Sequence, residues 1–293
     1  VVGTWLPWAG TLSLSAISLL AVMAGGPLML LLAWAALDLV DLLIVLVQVT
    51  RSANREQAVM GLAARISGMA FLIWAMLLAK SEGITLNFNA IPSNVSLYLL
   101  LAAGLRLGVI PLQTPVLGQL RIRRGLGTSL RLLPTASSLV LLGRAASVGV
   151  PEELKNILFI FTAVAALYSA LSWLLAEDAL EARPFWILGM AALAVAAAIK
   201  GDLHASQVWG LALILGGSFI FLLDPNHTRL LPVSILGLVG ISALPFTLTW
   251  AGLGMYMPAN EGWAGAMIWL ANGMLFLSHT CILLGFIKYA LRL

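Results

Sequence analysis

Four charged residues stand inside long apolar stretches of this sequence: Asp38, Asp41, Arg65 and Arg106. An ionised side chain inside a membrane helix is costly, so it normally faces protein or water rather than lipid. Asp38 and Asp41 are three apart and therefore share one helical face. Such a pair reads either as a structural partner for an arginine or as part of a proton relay, and Arg65 and Arg106 are the candidate partners. Arg106 lies in Leu101–Gln119, LAAGLRLGVIPLQTPVLGQ, and is followed by Pro111 and Pro115. Proline removes a backbone donor and clashes with the preceding turn, so the helix should kink or break near Pro111. A broken helix at membrane depth is tolerated only where protein or a water-filled cavity satisfies the freed carbonyls. A buried cation beside a helix break marks an ion path, or the relic of one. Pro134 and Pro245 are further candidate breaks.

The remaining polar residues point to less. His279 is the only histidine deep in an expected span, whereas His204 and His227 fall in loops. A b-type haem wants two axial ligands on facing helices, and no second intramembrane histidine exists. A single histidine could ligate one chlorophyll-type pigment, but more often it is a hydrogen-bonded core residue. Arg131 and Arg144 lie near the ends of their helix and are expected to snorkel to the headgroups. The lone cysteine, Cys281, excludes a disulfide framework and cysteine-based metal or iron–sulfur sites. There is no phosphate-binding glycine loop, nucleophile elbow or HExxH pattern. No cofactor and no metal site is expected.

The elements that position these residues follow from composition. Of 293 residues, 61% are hydrophobic and only 10% charged, against about 45–50% and about 25% in soluble domains. The mean hydropathy is +1.02. This is the composition of an all-α polytopic membrane protein. At roughly 20 apolar residues per crossing, the chain divides into about ten spans. They lie near Gly10–Ala24, Leu28–Val49, Val59–Ala79, Ser96–Leu120 (broken), Gly127–Val148, Leu154–Ala176, Pro184–Ile199, Ser206–Leu223, Leu231–Leu253 and Trp263–Ala290. Loops after the even spans, together with the C-terminus, hold Arg51, Arg55, Arg121, Arg123, Arg124, Arg183, Arg229, Lys288 and Arg292. The alternate loops hold Lys80, Lys155 and Lys200. This asymmetry puts the first set, and both termini, on the cytoplasmic side. Residues 1–293 read as one transmembrane domain, with two possible repeats near 10–149 and 152–290. The first ten residues lack a basic n-region, so no cleavable signal peptide is expected. Ten tryptophans fit interfacial belts and helix packing, and Gly216–Gly217 permits close helix approach.

In their order, these features resemble the antiporter-like membrane subunits of respiratory complex I, relatives of the multisubunit cation/proton antiporters. The resemblance implies two inverted five-helix repeats with a broken helix in each. It also implies a half-channel built from a glutamate after a tryptophan, a lysine before the broken-helix proline, and further lysine or histidine relays. In Trp34–Ala35–Ala36–Leu37, Ala35 stands at the glutamate position and Asp38 lies one turn away. Arg65, in AARISGMAF, resembles a family arginine whose asparagine and aspartate neighbours are absent here. In GLRLGVIPLQTPVLGQ, Arg106 stands at the lysine position and Pro111 at the proline. In GLGTSLRLLPTASSLVLLGRA, Pro134 falls at or near a histidine position. AEDALEARPFWILGMAALAV brings Glu181 and Arg183 to the usual lysine–arginine neighbourhood. GLVGISALPFTLTWAGL resembles the second broken helix, with Trp250 at or near its lysine or glutamate. The chain would correspond to family helices four to thirteen.

The resemblance thus implies a retained scaffold with a depleted relay. Burial readily lowers the pKa of lysine, whereas arginine stays charged, so Arg106 would hold a fixed charge where lysine would shuttle a proton. The expected function is a divergent antiporter-like subunit of a complex I-type (NADH dehydrogenase-like) or related ion-translocating complex, structural or with a partly degenerate proton path. Alternatives are a stand-alone secondary transporter, and a scaffold subunit of a photosynthetic or respiratory supercomplex. Redox catalysis would belong to the complex rather than to this chain. Expected partners are other membrane subunits, lipids, and protons or sodium ions, but not nucleic acid. The expected location is a bacterial cytoplasmic membrane.

Overall fold

The computed structural model describes residues 5–48, 52–113, 124–222, 231–257 and 265–290. Its elements are α1 (Leu6–Val22), α2 (Pro27–Gln48), α3 (Ser52–Ser81), α4 (Ser93–Arg106), α5 (Arg124–Ala146), α6 (Glu152–Leu175), α7 (Ala179–Ile199), α8 (Leu203–Leu222), α9 (Leu231–Ile241), a 3-10 segment (Leu248–Tyr256) and α10 (Ala266–Ala290). No strand occurs among the described residues. Seven of these helices (α2, α3, α5, α6, α7, α8 and α10) are long and apolar enough to cross a membrane. The expected all-α polytopic membrane fold is therefore the fold found.

Both interrupted helices are interrupted by local chemistry. α4 stops at Arg106, and Gly108 follows it at φ 74°. The Gly108 amide donates to Leu105 O and the Val109 amide to Gly104 O, which closes the last turn on itself. This is the glycine-terminated helix end, with a proline shortly beyond it. The sequence led us to expect a kink at Pro111. The helix in fact ends at Arg106, because glycine at positive φ terminates it before the proline is reached. Pro115 lies outside the described residues. α9 stops at Ile241, twelve residues short of the expected end at Leu253, and the chain turns through Pro245 into the 3-10 segment. Ala243 and Phe246 adopt positive φ there, 55° and 68°. Thr249, fully buried, staples this break by accepting from the Ala243 amide at 2.9 Å and donating to Gly240 O at 3.1 Å.

Pro134 behaves differently from expectation. α5 runs through it without a break. Proline inside a membrane helix is tolerated where hydroxyls and neighbouring helices take up the backbone groups it disturbs. Here Thr135 Oγ1 donates to Arg131 O, Ser137 Oγ to Pro134 O, and Ser18 Oγ on α1 to Leu133 O.

Packing falls into two rings. α1 packs on α2, α2 on α3, α3 on α4, α4 on α5, and α5 returns to α1. In the same order α6 packs on α7, α7 on α8, α8 on α9, α9 on α10, and α10 returns to α6. α5 also reaches α7 and α8, and α4 reaches α7, joining the rings. α7 is buried without interruption from Leu188 to Ile199. An apolar helix with no polar face belongs at the centre of a bundle, and its alanines let neighbouring helices approach closely. The second ring is filled by Trp173, Trp186, Phe221 and Phe286, each fully buried. Gly216 and Gly217 seat the Trp186 indole, so the close approach they allow is to a ring edge rather than to a helix backbone.

Candidate functional site

The buried stripe of α2 carries Trp34, Leu37, Asp38, Asp41, Ile44 and Val45, the spacing of one helical face. Ala35, at the expected glutamate position, points away from this face and is exposed. α2 has 22 residues, so Asp38 sits about 15 Å from either end, near the bilayer midplane.

Three helices bring the four charged residues together. Arg106, at the last turn of α4, grips Asp38 with both ends of its guanidinium: Nη1 to Oδ2 at 2.7 Å and Nη2 to Oδ1 at 2.9 Å. Nη1 also donates to Arg65 O at 3.3 Å. Arg65, on α3, pairs with Asp41 through Nη1 at 2.5 Å and approaches Asp38 through Nε at 3.4 Å. Arg106 thus pairs with Asp38 and Arg65 with Asp41, with Asp38 shared. The Arg106 side chain is 1% exposed and that of Asp38 3%. Two carboxylates meet two guanidiniums, so the cluster is neutral overall and held by charge-assisted bonds.

Sequence reasoning missed two supports of this cluster. The Arg106 guanidinium lies 4.3 Å from the centre of the Trp34 ring, a cation–π contact. The Trp34 indole is itself fixed by donation to Ser137 Oγ on α5 at 2.9 Å. Trp34, assigned from sequence to packing, therefore belongs to the site. Gly68 on α3 is the second support. A Cβ there would lie 2.6 Å from Arg106 Cγ and 2.9 Å from Ala102 O, so only glycine lets the Arg106 stem pass. In the sequence, the signal was a glycine one turn from Arg65.

Beside the cluster lies a cavity of about 550 Å³ between α2, α3, α4, α5 and α7. Asp41, Arg65, Arg106, Arg131 and Gln113 contribute its polar lining. Pro134 and Pro184 also line it. Arg131 was expected to snorkel outward; it lines this cavity instead, because its turn of α5 faces α2 and α4. Arg144 also departs from expectation. It donates to Ala24 O at 2.6 Å, beyond the end of α1, and stacks 5.0 Å from the centre of the Phe88 ring. A carbonyl left without a helical partner at the end of α1 gives the guanidinium a nearer acceptor than the headgroups. Arg183 is buried and donates to Leu180 O, Arg124 O and Thr128 Oγ1.

In the second ring, His279 Nε2 lies 2.8 Å from Ile241 O, the last residue of α9 before its break. A carbonyl only accepts, so Nε2 carries the hydrogen and the histidine caps the broken helix. Trp209 meets the ring edge-on and Tyr256 stacks on it. Trp250 is half-exposed and outside this group. Lys200, assigned from sequence only to a loop, reaches inward from just beyond α7. It donates to Met255 O, to Met257 O at 3.3 Å and to Asn272 Oδ1 at 2.9 Å, and lies 4.8 Å over the Phe159 ring. Burial, with Lys155 nearby, pushes its pKa down to about 8. No three histidine, cysteine or acidic side chains converge on a metal-sized site among the described residues.

With this geometry established, the fold can be set against known structures. One chain of the Mrp complex from Dietzia sp. DQ12-45-1b aligns over 97% of this chain at TM-score 0.77 and 18% identity. A chain of respiratory complex I from Thermus thermophilus, solved with bound aureothin, aligns over 99% at TM-score 0.71 and 16% identity. This chain has their fold. Complex I is the assembly whose antiporter-like subunits the sequence resembles, so the expected fold and the observed one agree. The chain spans 35% of the length of the Mrp chain and 71% of the complex I chain. No protein-family model and no curated protein matches the sequence.

Proposed function

We propose that this chain is an antiporter-like membrane subunit of a complex I-type or related ion-translocating assembly, in which the first-ring charge cluster serves as a fixed electrostatic strut rather than a proton relay. The observation that carries this reading is the two-pronged Arg106–Asp38 pair at the end of the broken helix. A relay needs a group that changes protonation, and arginine does not. The strut ties α2, α3 and α4 together at mid-membrane, where one helix has ended. The other membrane subunits of the assembly are its partners.

The two rings, each with its fourth helix interrupted, support two repeats near 10–149 and 152–290. Five spans are an odd number, so the second repeat would enter from the opposite side and be inverted, as in many transporters. The loop arginines support a cytoplasmic face for both ends.

The test is proton translocation by the native assembly in liposomes, comparing the unsubstituted chain with Asp38→Asn and Arg106→Met. The strut reading expects assembly yield to fall while protons moved per turnover stay constant in whatever complex forms. A fully assembled complex that moves fewer protons per turnover would overturn it in favour of an active relay through Asp38.

A further inference from the structure

The second helix break lies at membrane depth with one side uncovered. α9 has 11 residues, ~16 Å of helix, which is about half the hydrocarbon thickness. His279, whose Nε2 meets Ile241 O, stands near the middle of the 25 residues of α10, so the break sits near the midplane. There Leu244, Pro245, Phe246 and Thr247 form a turn, closed by the Thr247 amide donating to Leu244 O at 3.0 Å. Proline at its second position and a positive φ at its third, 68° at Phe246, make it a type II turn. That third position calls for glycine, and a phenylalanine there is strained. Such strain persists only where the surroundings over-determine it. Within this chain they do not. The Phe246 side chain is fully exposed, and Leu244, Pro245 and Trp250 beside it are exposed as well. Among the described residues, no hydrogen bond reaches the Phe246 amide or carbonyl. Lipid offers neither group a partner, and irregular backbone does not occur against lipid at this depth.

We propose that this turn is the docking site for a transmembrane helix of a neighbouring membrane subunit. The inference rests on the reading of the chain as part of a larger assembly. The chemistry of the partner follows from what the turn presents. Phe246 is a projecting knob, so the facing helix carries a notch of Gly, Ala or Ser, the residues that let membrane helices approach closely. The unmet amide and carbonyl need an acceptor and a donor, and a Ser, Thr, Asn or Gln side chain beside that notch supplies both. A second copy of this chain in two-fold contact does not fit, because Leu244, Pro245, Phe246 and Trp250 would meet their own bulky counterparts. Glycine at position 246 would avoid the strain but offer no knob. Burial of the ring in the notch offsets the strain, which accounts for a phenylalanine where the turn alone calls for glycine.

The test is photo-cross-linking in native membranes with p-benzoylphenylalanine in place of Phe246, followed by purification and peptide mass spectrometry. Adducts are expected on one transmembrane segment of a co-purifying subunit, at a helix turn that holds small and hydroxyl or amide residues. Alongside it, Phe246→Gly is compared with the unsubstituted chain. Release of the strain should raise the unfolding temperature of the purified chain by roughly 2–4 °C. Loss of the knob should lower recovery of the cross-linked subunit roughly tenfold, the scale of one central contact. A phenylalanine that merely faced lipid would give the first effect without the second. Adducts only to lipid, to another segment of this chain, to a second copy, or to a helix face without small residues overturn the proposal. So does Phe246→Gly with undiminished recovery of the partner. If Phe246→Gly does not fold, the cross-link alone decides. An intact assembly in which position 246 labels lipid overturns the docking site and leaves the subunit reading standing, whereas a chain that purifies alone overturns both.

Discussion

Removing one partner of the Arg106–Asp38 pair should not cost the same from both sides. Asp38→Asn leaves the Arg106 guanidinium, 1% exposed, with only uncharged acceptors, the new amide oxygen and Arg65 O, and with Arg65 as a neighbouring like charge. A stranded buried charge costs about 3–5 kcal/mol. Arg106→Met leaves Asp38 still 3.4 Å from Arg65 Nε, so its charge keeps a partner, and a cost of about 1–3 kcal/mol is expected from the lost bonds. The double substitution removes both charges and leaves Arg65 with Asp41, so it should cost no more than the Arg106 single. The coupling energy is then about 3–5 kcal/mol, well beyond the additivity error of about 0.5 kcal/mol. The assay is unfolding of the purified protein, or of its complex, in mixed detergent micelles. Intrinsic fluorescence can follow it because Trp34 lies against Arg106. Additive costs would refute the strut. Equal costs for the two singles would refute the sharing of Asp38.

Other substitutions test the surrounding construction. Gly68→Ala should destabilise by about 1–3 kcal/mol through overpacking against Arg106 and Ala102 O. Gly61→Ala on the same helix meets nothing within 4 Å and should gain up to about 1 kcal/mol from helix propensity; both are read as shifts in unfolding midpoint. Thr249→Val removes the staple of the second break and leaves the Ala243 amide buried without a partner, at about 1–3 kcal/mol by the same measurement. For Lys200 the folded pKa, about 8, lies below the usual lysine value of 10.5. Between those pH values the unfolded chain binds the proton and the folded chain does not, so stability should rise with pH across that window. Lys200→Met should flatten the rise in a pH series of unfolding temperatures; a profile unchanged by the substitution would contradict the buried ammonium.

The class of this protein was determined by composition alone, because 61% apolar and 10% charged residues leave no soluble way to bury the surface. Sequence also located the charges that the fold brings together. Asp38, Asp41, Arg65 and Arg106 are conspicuous because a charge among apolar residues demands a partner. It located both helix breaks within a few residues as well, and the order of its motifs pointed to the fold. Which charge meets which was beyond it. Asp38 and Asp41 share a face, and only the close approach of α4 to α3, permitted by Gly68, together with the glycine stop at Gly108, brings Arg106 to Asp38. Pro134 read as a break because its local effect is disruptive, yet hydroxyls on α5 and α1 absorb it. Trp34, His279 and Lys200 took their roles from hydrogen bonds to residues 38 to 103 positions away, and no local pattern encodes those. Propensity and hydropathy act along a few turns of chain. Pairing, capping and the cavity arise where distant turns pack, and there the tertiary structure alone decided.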